Sequence, residues 1–166
     1  MAQKLNSPAM KWAYSHVAMS GLTPGPRLRR HPHTQLERMM RSITEFGIPV
    51  PIIIDASNEV IDGHLVFKAA KKLGLDEVPV ARSDELTPDQ ARALRIVLNR
   101  LAELGEWDDE LLALELAEIG KLSLNIELTG FSMPEIDALF LSSVQADESP
   151  GLTASTHWRT SHADAM

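Results

Sequence analysis

Ile61-Asp62-Gly63-His64 decides the fold of this chain. The strand-like run Glu59-Val60-Ile61 ends there, and a helical stretch over 64–73 begins. A strand that ends where a helix starts brings unpaired amide groups and the positive end of the helix dipole to one spot, which attracts phosphate or carboxylate. Gly63 allows a ligand close to the backbone, Asp62 offers a proton acceptor or a water-mediated metal contact, and His64 offers a donor to phosphate or a proton shuttle. The plainer reading stays open beside this one: Asp-Gly ahead of a helix also serves as a cap and a turn, with Asp62 capping the helix.

Working outward, Val50 to Asp55 is rich in β-branched residues, and the polar turn Ala56-Ser57-Asn58 joins it to 59–61 as a hairpin. The helix over 64–73 stops at Lys72-Leu73-Gly74, and Val78-Pro79-Val80-Ala81 returns as a strand, which gives a compact crossover unit. Upstream, Thr34-Gln35-Leu36-Glu37 has the form of a capping box. Leu36, Met39, Met40, Ile43 and Phe46 then follow at helical spacing, so a helix over 34–46 ending at Gly47 is expected. Residues 1–26 lack periodicity and read as an extended lead-in from which Trp12, Tyr14 and Val17 can dock on the body.

Downstream, Thr87-Pro88-Asp89-Gln90 is a second capping box, opening a helix with Ala91, Leu94, Leu98 and Leu101 as its apolar stripe. Gly105 breaks that helix, Asp108 caps another through about Ile119, and Ser132-Met133-Pro134-Glu135 opens a last one through about Leu141. The expected organisation is an α/β core over 27–86, a helical extension over 87–144 and a disordered tail over 145–166.

Composition narrows the function. The chain has 166 residues and no cysteine, which excludes disulfides, thiolate metal sites and a cysteine nucleophile and is compatible with a reducing cytoplasm. No apolar run approaches the roughly 20 residues that span a bilayer, and the first thirty lack a signal-peptide pattern, so a cytoplasmic protein without a membrane partner is expected. The net charge is −7. Residues 1–50 hold seven Lys and Arg against two Glu, a surplus of +5, which leaves −12 for the remainder. A basic amino-terminal face on an acidic body can meet phosphate locally and in a salt-dependent way.

The ordered set Gly47-Ile48-Pro49-Val50-Pro51-Ile52-Ile53-Ile54, Ile61-Asp62-Gly63-His64, Ala69-Ala70-Lys71-Lys72-Leu73-Gly74-Leu75 and Val78-Pro79-Val80 resembles the amino-terminal domain of the ParB/sulfiredoxin superfamily over about residues 27–103. Asn99 to Asp108, Leu128-Thr129-Gly130-Phe131 and Glu135-Ile136-Asp137 are similar to the helical extension of ParB-like proteins fused to DNA methylases. The resemblance implies a small mixed sheet with flanking helices, DNA as partner, and a phosphate or nucleotide pocket at Asp62, Gly63 and His64. It also implies a nucleotide with Mg2+ as the only cofactor to consider and a DNA methylase as a further partner. Two departures matter. The family often carries an arginine three residues after the glycine, where this chain has Val66, and often a polar residue at the place of Val50. An uncharged side chain cannot grip phosphate as a guanidinium does, which weighs against catalysis. Sulfiredoxin chemistry is excluded by the missing cysteine.

Arg29 lies where the family tends to carry an arginine, and Arg27, Arg29 and Arg30 form a loop suited to DNA backbone contact. Lys68 is a substitute cation or, with Lys71 and Lys72, part of a solvated helix face. Glu45 is a candidate general base or a surface carboxylate. The His31-Pro32-His33 pair lacks nearby acidic ligands and is not assigned a metal. The acid-rich helix after Asp108 carries too many leucines for one stripe, so it packs on two sides or forms a homodimer through the carboxy-terminal helices. Three functions follow: a DNA-associated ParB-like binding or regulatory domain with a degenerate pocket, an active nucleotide hydrolase or nuclease of the same fold, and a protein-interaction fragment of a DNA methylase system.

Overall fold

The computed structural model describes residues 10–122 and 125–147. Its centre is a four-stranded mixed sheet in the order β1-β4-β2-β3, built from β1 (Ala13–Ala18), β2 (Ile52–Ile54), β3 (Val60–Asp62) and β4 (Glu77–Arg82). β2 and β3 form the expected antiparallel hairpin, and β4 returns parallel to β2. Between them runs α2 (His64–Leu73), which begins and ends where the sequence places it. Branched side chains explain the centre of the sheet: Ile52, Ile54, Val60, Val78 and Val80 are buried and pack with Phe67 and Ala70 of α2. A second cluster of Leu36, Ile43 and Ala69 joins α2 to α1 (His33–Phe46).

The lead-in is extended, but it is a strand of the sheet. β1 pairs antiparallel with β4 from Ala13 opposite Arg82 to Ala18 opposite Glu77. The α/β core therefore begins at Ala13, ahead of residue 27. A short 3-10 turn at Met19–Gly21 and the buried Leu22 then carry the chain to the opposite edge of the sheet. There Thr23 bridges β3: the Thr23 amide donates to the Asn58 carbonyl at 3.0 Å and the Val60 amide to the Thr23 carbonyl at 2.9 Å. This path delivers the arginine loop to the end of β3.

The caps divide. Thr87 and Gln90 form a reciprocal capping box at α3 (Pro88–Leu104), and the Asp108 carboxylate accepts the Leu111 amide at α4 (Asp109–Gly120). Thr34 caps nothing, because α1 starts one residue earlier with Pro32 ahead of it, and Glu37 instead pairs with His33 at 3.2 Å. Asp62 makes no cap bond either, since the N-cap of α2 is Gly63 at φ 89°, which takes the turn that a carboxylate cap would occupy. At α5 (Met133–Asp147) half of the box forms. The Ser132 amide and hydroxyl both donate to Glu135, which holds its carboxyl below the ordinary carboxylate range. α5 runs past the expected end at Leu141 to Asp147, and the rest of the expected tail, 148–166, lies outside the described residues.

The stripe on α3 follows its sequence reading at Ala91, which is buried, and at Leu94 and Leu98, which are half-buried, and departs from it at Leu101. Ala91 and Arg95 are its buried residues, and Leu101 is exposed, because the contact with β3 uses the Ala91 and Arg95 face. The helical extension returns to the core through α1: Arg38 donates to the Gly130 carbonyl at 2.7 Å and Arg41 pairs with Glu127 at 3.3 Å. Trp107 and Phe131 meet edge to face at 5.6 Å. On α4, Ala113 and Leu116 are buried while Leu111 and Leu114 stay exposed.

Candidate phosphate and nucleotide site

β3 ends at Asp62 and α2 begins at His64, with Gly63 between them in the left-handed region. Its φ of 89° favours glycine, and a Cβ there would sit 3.3 Å from the Ile52 Cα, a tight contact that adds to the strain. The first turn of α2, with its unpaired amides, opens onto a cleft of about 280 Å3. Asp62, Gly63, His64, Leu65 and Val66 form one wall, Arg27, Leu28, Arg29 and His31 a second, Arg95, Leu98, Asn99 and Ala102 of α3 a third, and Val50 with Pro51 an apolar rim. An adjoining cleft is lined by Arg27, Arg29, Arg30, His31 and Lys68.

The sequence placed phosphate candidates and DNA candidates in different segments, and the fold brings them together. Arg27 and Arg29 face the same cleft as Asp62, Gly63 and His64, and Lys68 joins the arginine loop. Glu45 is exposed on α1 and does not line this cleft. His31 is bonded to Gln35 at 2.9 Å. Among the described residues no cluster of three His, Asp or Glu side chains is placed to hold a metal.

Half-buried His64 tethers the loop to the helix, its Nε2 lying 3.2 Å from the Gly25 carbonyl. Its pKa is lowered from the ordinary 6.5, first by burial; the Gly25 bond and Asp62 oppose this, while Arg95 and Arg27 reinforce it. The imidazole is therefore biased toward neutrality, and Nε2 carries the proton donated to Gly25. Gly25 is itself pressed on β3: a Cβ there would overlap the Val60 carbonyl oxygen and come within 2.9 Å of Glu59 Oε1. A salt bridge from Arg29 to Glu103 at 3.8 Å spans loop and α3, both partners well solvated, and so contributes little to stability.

Arg95 is the site residue the sequence reading missed. It is 6 % exposed, donates from Nη2 to Glu59 Oε1 at 3.0 Å, and its Nε is buried without a partner among the described residues. The available signal was a charged residue one turn after Ala91, but a stripe drawn through leucines passes it by.

With this geometry in view, comparison with known proteins is decisive for family. Residues 4–99 match the family described as the ParB N-terminal domain. The chain belongs to that family. The match starts well before residue 27, in keeping with β1 as part of the domain. Residues 110–156 match the ParB-methyltransferase HTH domain. The chain is 39% identical over 62 residues to the ParB-like nuclease domain-containing protein YnaK of Escherichia coli (strain K12), covering 37% of this chain and 71% of that one. It is 34% identical over 67 residues to the uncharacterized protein ORF326b of Acidianus two-tailed virus, covering 40% of this chain and 21% of that one. Among solved structures, the C-terminally truncated chromosome-partitioning protein ParB from Caulobacter crescentus complexed with CTP-gamma-S superposes with a TM-score of 0.65 at 21% identity, covering 81% of this chain and 83% of that one. That likeness is one of fold. No helix among the described residues is long and apolar enough to cross a membrane.

Proposed function

We propose that this chain is a nucleotide-binding, DNA-associated ParB-like module, whose cleft at Asp62-Gly63-His64 takes the phosphates of a nucleoside triphosphate. The observation that carries this is convergence: the α2 N-terminus and the cations Arg27 and Arg29 face one cleft, with Arg30 and Lys68 beside it. Polyanions are the ligands that such a field selects. The rim of Val50 and Pro51, with Leu98 on the α3 wall, offers apolar surface to a base. Asp62, the one carboxylate among the lining residues, suits Mg2+, which binds through one or two carboxylates plus substrate phosphates. Cytidine triphosphate is the first nucleotide to test, because the ParB with the same fold was solved with CTP-gamma-S.

DNA contact is assigned to the basic amino-terminal face, with Arg30 and Lys68 in the adjoining cleft, rather than to α4 and α5. Residues 109–147 hold eight acidic side chains and one basic, which repels a phosphate backbone even though this stretch matches a helix–turn–helix family. The family name suits a role beside a DNA methylase, with α4 and α5 facing protein.

The test is a thermal-shift screen of the full chain with the four ribonucleoside triphosphates and Mg2+. Binding at 100 times Kd raises stability by about 2.7 kcal/mol, which a melting curve resolves easily. No shift at millimolar nucleotide refutes the nucleotide site. For DNA, retardation at low salt that Arg30→Ala with Lys68→Ala leaves unchanged refutes the assigned face.

A further inference from the structure

We propose that Arg95 is the buried phosphate receptor of the cleft, supplying from α3 the guanidinium that Val66 withholds on α2, and that Glu59 holds Arg95 ready for exchange with the ligand. This rests on the nucleotide reading above and adds a residue and a competition to it.

The argument starts from cost. A charged side chain this deeply buried is rare unless fully paired, and Arg95 is not fully paired. Its side chain is 8 % exposed, and of its five donors Nη2 goes to Glu59 while the buried Nε has no partner among the described residues. An orphan donor of this kind destabilises a fold and is retained most readily where a ligand completes it.

Three features point to an anion as that ligand. Arg95 lines the same cleft as the α2 amides and Val66, so the missing guanidinium is replaced at the same cleft although from a different element. The guanidinium is planted rather than free: Arg95 is buried beside the small Ala91 on α3, which contacts β3, and the Nη2 bond to Glu59 at 3.0 Å holds the fork in place. Glu59 is 38 % exposed, so its side of the ion pair is partly hydrated and releases at little cost when a more highly charged phosphate offers the fork two oxygens.

The experiment measures Kd for CTP with Mg2+ by calorimetry on the full chain and on Arg95→Gln, Glu59→Gln and their double variant, with inorganic tripolyphosphate as a probe that has no base. Arg95→Gln is expected to weaken CTP and tripolyphosphate alike by about tenfold or more, the loss of a charge-assisted hydrogen bond. Glu59→Gln is expected to tighten both by about threefold, and the gain to vanish in the double variant. Val66→Arg in the Arg95→Gln background is expected to restore binding, which a purely structural role for Arg95 does not explain. If Arg95→Gln folds poorly, Arg95→Lys and Glu59→Gln decide: a Lys variant within a factor of two of the parent, or no gain from Glu59→Gln, overturns the assignment. Parent protein that takes up no nucleotide removes the proposed function and this inference together; parent binding that Arg95→Gln leaves intact removes this inference alone.

Discussion

Gly25→Ala is a sharp perturbation of the path that delivers the arginine loop. Gly25 has no positive φ, and the sequence shows only a Pro-Gly-Pro turn there. Yet an added methyl would overlap the Val60 carbonyl oxygen, which is backbone of the buried β3 and cannot yield. The loop must move instead, and it is held by the two backbone bonds of the Thr23 bridge, at 3.0 and 2.9 Å, and by His64 on the Gly25 carbonyl at 3.2 Å. Losing the bridge bonds costs about 1–3 kcal/mol at roughly 1 kcal/mol each, with allowance for context. For a chain of this size that is a fall in Tm of roughly 3–10 °C. Displacing Arg27 and Arg29 should weaken nucleotide binding along with stability. Urea unfolding and calorimetry on the same variant measure both. Gly105→Ala is the control: its site is open and its φ of −76° suits any residue, so stability should be unchanged or rise by about 0.4–1 kcal/mol. A Gly25→Ala protein within 0.5 kcal/mol of the parent, with unchanged nucleotide affinity, would show that the loop is not fixed as described.

His64 links stability to pH. Its folded pKa lies below the ordinary 6.5 chiefly through burial, so the unfolded chain takes up a proton first. Its contribution is full above that value and is lost as pH falls from there toward the folded pKa. Unfolding midpoints between pH 7.5 and 5.5 should fall more steeply for the parent than for His64→Gln, and equal slopes would contradict it. Thr87→Ala should cost about 1 kcal/mol for the lost cap while Thr34→Ala, inside α1, costs much less, as denaturant titration can compare. Arg38→Ala removes the bond to Gly130 at 2.7 Å and should free the 126–130 segment, seen as faster amide exchange there with β2 and β4 unaffected.

Much of the fold was legible because its signals are local. The β-branched runs of β2 and β3, the turn at Asn58 and the Gly63 and Gly74 ends of α2 each announce themselves within a few residues. β1 did not, because it is an edge strand, exposed at nearly every position, and its identity lies in backbone pairing with β4 rather than in alternation. Thr34 misled for a similar reason: the capping pattern was present, but Pro32 sets the helix start one residue earlier. Asp62, Gly63 and His64 could be located from the strand-to-helix junction alone. The convergence of Arg27, Arg29 and Lys68 on one basic cleft region depends on the chain passing from β1 at one edge of the sheet to β3 at the other, which no local pattern records. Arg95 was hidden by the usual rule that arginine faces solvent, a rule that fails where a half-exposed partner such as Glu59 meets the buried guanidinium from beside β3.

The most direct measurement is the calorimetric affinity of the full chain for CTP with Mg2+, beside that of Arg27→Ala with Arg29→Ala. A cleft built for phosphate gives a measurable Kd in the parent, weakened by about tenfold or more when the two loop cations are removed and falling off with added salt. An absence of heat at millimolar nucleotide, or an affinity that the paired substitution leaves unchanged, would contradict a phosphate site at Asp62-Gly63-His64.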